Sequence, residues 1–124
     1  MEESLKRELT DYGIDLKMAI YRFLGNEEMY EELLRDFAED ENYFGLLETI
    51  PQKEYEKAFR HAHTLKGVAA NLGVDRVEAD AGQITEALRG KKPEEVDRTV
   101  LDDLVKKLEE HYAGLRAILE KYAV

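Results

Sequence analysis

Apolar residues recur along this chain at intervals of three and four, the spacing that aligns side chains on one face of an α-helix. Leu33, Leu34, Phe37, Phe44 and Leu47 follow that rhythm within a stretch covering 27–49. Tyr55, Phe59, Ala62, Leu65, Ala69 and Leu72 follow it over 51–72, and Val77, Ala81, Ile84 and Leu88 over 75–89. Leu101, Leu104, Leu108, Tyr112, Leu115 and Leu119 extend it over 93–122. No strand-type alternation, internal repeat or low-complexity linker interrupts the pattern. The punctuation agrees with it. Pro51 and Pro93 stand where a helix begins, a position whose N–H lacks an intrahelical partner in any case. Glu94 and Glu95 place negative charge at the positive end of the helix dipole. Asn26 is an N-cap for a helix starting at Glu27, and Asp75 with Glu78 has the spacing of a capping box. Gly73 and Gly90 fall where a residue of positive φ closes the preceding helix.

Four amphipathic helices joined by short loops predict an all-α fold, an antiparallel up-and-down four-helix bundle over residues 26–124. The last helix, at 1.5 Å per residue, would be about 45 Å long and project past its neighbours. Residues 1–25 hold one or two shorter helices, 2–11 and 14–24, broken at Gly13. Leu16, Ile20, Phe23 and Leu24 are expected to cap one end of the core. The whole chain, 1–124, reads as a single domain, as its length predicts.

Composition narrows the chemistry. With no cysteine, the chain has no disulfide, thiolate zinc site or cysteine nucleophile. A formal charge of −10 argues against nucleic acid and anionic membranes, since phosphate contacts need a surplus of Lys and Arg. No signal-peptide run or spanning segment is evident, so a cytoplasmic location is expected. The charge is unevenly spread. Residues 27–50 carry nine acids against Arg35, whereas 51–73 hold Lys53, Lys57, Arg60 and Lys66 against Glu54 and Glu56. One segment of an acidic protein is thus locally positive, and it contains His61 and His63. Phosphate-binding glycine loops are absent, and so is the Glu-x-x-His of di-iron bundles. His61 and His63 point about 200° apart on a helix and cannot share a metal. No metal and no cofactor are expected.

The stretch His61-Ala62-His63-Thr64-Leu65-Lys66-Gly67-Val68-Ala69-Ala70-Asn71-Leu72-Gly73 carries the chemistry that remains. On a helix at about 100° per residue, His63 falls about 120° from the core direction, so its imidazole is accessible. Gly67 lies one turn on and Ala70 two, leaving the row beside the ring stripped of bulk. A glycine inside a helix costs about 1 kcal/mol relative to alanine and therefore asks for a reason. Lys66, three residues on, can swing its ammonium towards whatever the imidazole carries. Two readings fit: an exposed nucleophilic nitrogen with a cleared approach and a cation for phosphoryl oxygens, or a surface histidine beside a glycine that allows close helix packing. His61 faces nearly opposite, at a helix–helix boundary, and His111 lies on the last helix without a comparable motif.

At these residues the sequence resembles the histidine-containing phosphotransfer (HPt) family of phosphorelays. The family's His-x-Leu-Lys-Gly, with a second glycine six residues on, is matched by His63, Leu65, Lys66, Gly67 and Gly73. Arg22-Phe-Leu-Gly-Asn-Glu-Glu-Met-Tyr-Glu-Glu-Leu-Leu resembles the family's approach into its first long helix. The likeness covers roughly residues 12–90, the last helix agreeing only in length and pattern.

The resemblance implies that His63 is the phosphoacceptor, reacting through Nε2, and that Lys66 stabilises the phosphoryl group. Gly67 would leave room for a receiver domain, with Arg60, Thr64 and Ala70 also at the partner surface. Members often carry a glutamine on the next helix that orients the imidazole. Here that place is Thr85, with Gln83 two residues earlier; the two point about 200° apart, which leaves Thr85, Gln83 or a water as the orienting partner. The function implied is a phosphocarrier passing phosphoryl between receiver aspartates, without autonomous kinase activity, the magnesium belonging to the receiver. Partners would be response-regulator receiver domains and a sensor histidine kinase; a monomer and a free-standing carrier are expected. The alternatives are a non-catalytic helical adaptor that binds a receiver, and the phosphoacceptor module of a chemotaxis-type histidine kinase.

Overall fold

A computed structural model describes residues 1–123. Its elements, in chain order, are α1 (Glu3–Tyr12), α2 (Leu16–Tyr21), α3 (Glu27–Phe37), α4 (Glu41–Thr49), α5 (Tyr55–Leu72), α6 (Asp75–Leu88), a short 3-10 turn (Pro93–Glu95) and α7 (Arg98–Lys121). No strand occurs among the described residues. The bundle's four arms are α3 with α4, then α5, α6 and α7; α5 packs against α4 and α3 on one side and α6 on the other. No helix among the described residues is long and apolar enough to cross a membrane.

The helix expected over 27–49 is two helices, and the side chain that separates them comes from α7. Tyr112 is fully buried, donates its hydroxyl to the Phe37 carbonyl and accepts from the Asp40 N–H at 3.1 Å. The Asp40 N–H also reaches the Phe37 carbonyl at 3.2 Å, so the hydroxyl joins a backbone turn at the break and anchors it to α7. Asp40 then caps α4 through the Asn42 N–H, and Tyr43 stacks on Tyr112 at 3.7 Å between ring centres. The break changes the phase of the apolar stripe. Leu33 and Phe44, expected in the core, are exposed, whereas Leu34, Phe37, Tyr43 and Leu46 are buried.

Other boundaries shift more modestly. Pro51 lies in a turn before α5 rather than inside it, and Pro93 opens the 3-10 turn, not α7. At 24 residues α7 is about 36 Å long, shorter than the helix expected. Asn26 caps α3 through the Met29 N–H as expected. Asp75, by contrast, is the first residue of α6 and its side chain does not cap it; Val74 holds the N-cap position. Gly73 closes α5 at φ 72°, a left-handed geometry that disfavours any residue with a Cβ.

The N-terminal helices do cap the core. Leu5 and Leu9 of α1 are buried against α7, and Ala19 of α2 rests on the Gly73 turn. Leu24 is a correction: it is 98 % exposed at φ 57°, on a turn that swings it away from the core. Tyr30 and Tyr12, both buried, donate at 2.6 Å to the Leu72 and His111 carbonyls, tying α3 to the end of α5 and α1 to α7. Burial pushes the Tyr12 hydroxyl up to about 12 and raises those of Tyr30 and Tyr112 too.

Candidate functional site

Helix α5 presents His63 from its middle. The buried stripe Tyr55, Ala58, Ala62, Leu65, Ala69 and Leu72 fixes the rotation of the helix. With Ala62 and Leu65 facing inward, His63 and Thr64 between them point to solvent, and both are exposed. The three histidines then part company. His61 Nδ1 meets the Asn42 side-chain oxygen at 3.1 Å, and its ring fills the space over Gly45, where a Cβ would approach within 2.6 Å. His111 Nδ1 meets Asp80 Oδ2 at 2.6 Å. Neither ring nitrogen of His63 has a hydrogen-bond partner among the described residues. The ring of Phe59, one turn earlier, lies parallel to that of His63 within 6°, with 6.1 Å between centres.

Around His63 the other expected residues fall as follows. Gly67 is exposed, and a Cβ there would meet nothing within 4 Å, so no packing neighbour accounts for the glycine. Lys66 is half-buried. Its stem runs across α6 at Gly82, where a Cβ would lie 3.6 Å from Lys66 Cδ and Cε. That is ordinary van der Waals distance, so the stem lies along α6 at this point, and the ammonium forms no ion pair among the described residues. Arg60 is exposed beside Glu56, 3.8 Å away on its own helix. Ala70 is half-buried, and its carbonyl accepts from the Arg22 guanidinium at 2.7 Å, so the row beyond Gly67 is partly covered by the turn after α2.

The orienting residues sought on α6 do not reach the imidazole. Lys66 lies against Gly82, and Arg89 against Phe59, with its Cζ 5.1 Å from the ring centre. That antiparallel register sets Thr85 level with His63, yet Thr85 is buried and donates its hydroxyl to the Ala81 carbonyl at 2.7 Å. Gln83 is exposed and borders the groove along Lys66, Gly82 and Glu86. Neither side chain is hydrogen-bonded to His63. The apolar periodicity puts Phe59 among core positions and carries no sign of Gly82 or Arg89. The signal for Phe59 was its i−4 spacing from His63; Arg89 could be placed only once the α5–α6 register was known.

The arrangement offers a solvent-facing imidazole, open space at Gly67 and an ammonium one turn away, with neither the ring nitrogens nor the ammonium paired among the described residues. The sequence profile of the Hpt domain matches residues 26–118, most of the chain. This protein belongs to the Hpt domain family. No curated protein and no solved structure matches the chain. Membership points to a phosphotransfer role in phosphorelay signalling. Hpt domains are phosphocarriers, not kinases, and interact with receiver domains and histidine kinases.

Proposed function

We propose that this Hpt domain carries phosphoryl groups on His63, accepting them from the aspartyl phosphate of one receiver domain and passing them to the aspartate of another. The observation that carries the reading is the contrast among three imidazoles. His61 and His111 are half-buried with Nδ1 held by a neighbouring side chain, whereas His63 is exposed and neither of its ring nitrogens has a hydrogen-bond partner among the described residues. A neutral imidazole with a free nitrogen is a good nucleophile near neutral pH. In the transfer, the Nε2 lone pair attacks phosphorus as the bond from phosphorus to the aspartate oxygen breaks. The carboxylate leaves with that electron pair, and the ring keeps its proton on Nδ1. The phosphorylated ring is then cationic, attached to an anionic phosphoryl group whose oxygens Lys66 is placed to meet. Transfer onward is the same step in reverse, with a second aspartate as nucleophile. The magnesium of this chemistry belongs to the receiver.

The partner face comprises Arg60, Thr64, Gly67 and Ala70 around the ring. Receiver phosphorylation sites are rich in carboxylates, which suits a segment whose cations outnumber its acids. The test is incubation with a phosphorylated receiver. The wild type should become labelled, His63→Gln should not, and His61→Gln and His111→Gln should label normally if folded. An unlabelled wild type would favour a helical adaptor that binds receivers without exchanging phosphate; labelling that survives His63→Gln would put the acceptor elsewhere.

A further inference from the structure

A nucleophilic ring that turns freely presents its lone pair in the productive direction only part of the time. Holding it there contributes to rate as any pre-orientation of reacting groups does. Here Thr85 spends its proton on Ala81, Gln83 borders the Lys66 groove, and His63 has no polar partner among the described residues. The ring paired with it is that of Phe59, parallel within 6° at 6.1 Å between centres, inside the range of favourable aromatic pairs.

Phe59 is itself fixed from two sides. It is half-buried and packed against the core, and the Arg89 guanidinium lies over its ring at 5.1 Å. Arg89 is in turn held by Glu86, its Nε lying 3.1 and 3.2 Å from the two carboxylate oxygens. The chain of contacts therefore runs from the end of α6, through Phe59, to the imidazole.

We propose, on the reading that His63 is the phosphoacceptor, that Phe59 is the positioning residue for its ring, doing by stacking what a hydrogen-bonding side chain on α6 does not do here. Stacking restrains rotation of the imidazole while leaving both nitrogens unengaged, so the nucleophilic lone pair is oriented without being consumed. It also favours the product side. The phosphorylated ring is cationic, and a cation beside an aromatic ring is held more strongly than a neutral ring. Arg89 acts one contact further out, by keeping Phe59 in place.

The experiment compares wild type, Phe59→Leu, Phe59→Tyr, Arg89→Ala and His63→Gln. Two readouts are taken on each: the NMR shifts of the His63 ring protons, and the labelling rate with phosphoramidate, a small donor that needs no docking. Phe59→Leu should move the ring protons towards unstacked values and slow labelling about three- to tenfold, the size expected of one aromatic pair. Phe59→Tyr should restore both to within about twofold. Arg89→Ala leaves the core untouched and should shift the same signals in the same direction by less.

Wild-type labelling and unchanged ring shifts in Phe59→Leu would overturn the proposal. So would a rate loss that tracks melting temperature and is not rescued by tyrosine, since that is a packing defect. Labelling that persists in His63→Gln would overturn the acceptor reading and this inference with it. That outcome is distinguishable, because the ring shifts would still respond to Phe59→Leu.

Discussion

The outer face of α5 and the seam between α6 and α7 each carry a histidine, and they treat it in opposite ways. On α5, His63 stands in solvent beside a helical glycine with open space around it. In the seam, His111 meets the buried carboxylate of Asp80 at 2.6 Å, with Lys107 4.0 Å from its other oxygen. Tyr12 donates to the backbone carbonyl of the same histidine, and Arg76 covers the Tyr12 ring. One imidazole thus joins α7 to α6, while the backbone of the same residue ties in α1; the other ring has no hydrogen-bond partner among the described residues. What separates the two is exposure and clearance: His63 stands in solvent beside the open row at Gly67, whereas His111 is half-buried with its Nδ1 on Asp80. Residue type and helical context are the same in both places.

That contrast can be broken most forcefully from the seam. Asp80→Ala leaves His111 without its partner and a space in the core. It should cost about 1–3 kcal/mol of stability, the range for removing one partner of a buried hydrogen bond. Denaturant unfolding reads the loss, while labelling of His63 per folded molecule should stay at the wild-type rate. Coupled loss of both would mean that the two faces are not independent.

Gly67 should separate stability from function on the other face. A Cβ there meets open space, so Gly67→Ala should raise stability by about 0.5–1 kcal/mol through helix propensity alone. Gly67→Gln should weaken receiver binding about tenfold or more, measured by titration. Normal binding and transfer by Gly67→Gln would contradict the cleared approach. A smaller effect is expected at Lys66. Lys66→Ala should slow transfer or shorten the phosphohistidine lifetime about five- to tenfold, with the melting temperature little changed.

The smallest effect concerns acid. Glu8 is held below its ordinary carboxylate range by the hydrogen bond from Lys121 and then that from Tyr122; Glu27 is held down by the hydrogen bond from Lys6. A carboxyl depressed in the folded state contributes stability that is present above its unfolded value and disappears as pH falls through the folded one. Docking of α1 should therefore be constant above about pH 4.5 and loosen below it. The change should appear as faster amide exchange in α1 before the rest of the bundle responds. Uniform exchange across all helices would deny these surface pairs a local role.

Much of this was legible along the chain, for reasons that also mark where legibility stops. Helices α5 and α6 follow from their own apolar periodicity, their junction at Gly73 from the backbone freedom that residue supplies, and the outward direction of His63 from the phase of Ala62 and Leu65. All are local properties. The α3–α4 break is set by Tyr112, more than seventy positions away, and only Asp40, a serviceable N-cap, hints at it. Leu24 was misplaced because a left-handed backbone at that residue interrupts the periodicity that had assigned it inward. The polar surroundings expected for His63 failed to appear for a similar reason. Thr85 stands level with the imidazole, but its hydroxyl bonds to its own helix, a choice that sequence position does not disclose.

The fit of His61 over Gly45 has a consequence for how this chain can vary. The imidazole occupies the volume a side chain at 45 would need, so the two positions behave as one lock with two tumblers. Enlarging residue 45 alone jams it, and trimming residue 61 alone leaves it loose. Gly45→Ala should cost less stability together with a smaller residue at 61 than alone, and a double-mutant cycle on unfolding free energy should show that coupling.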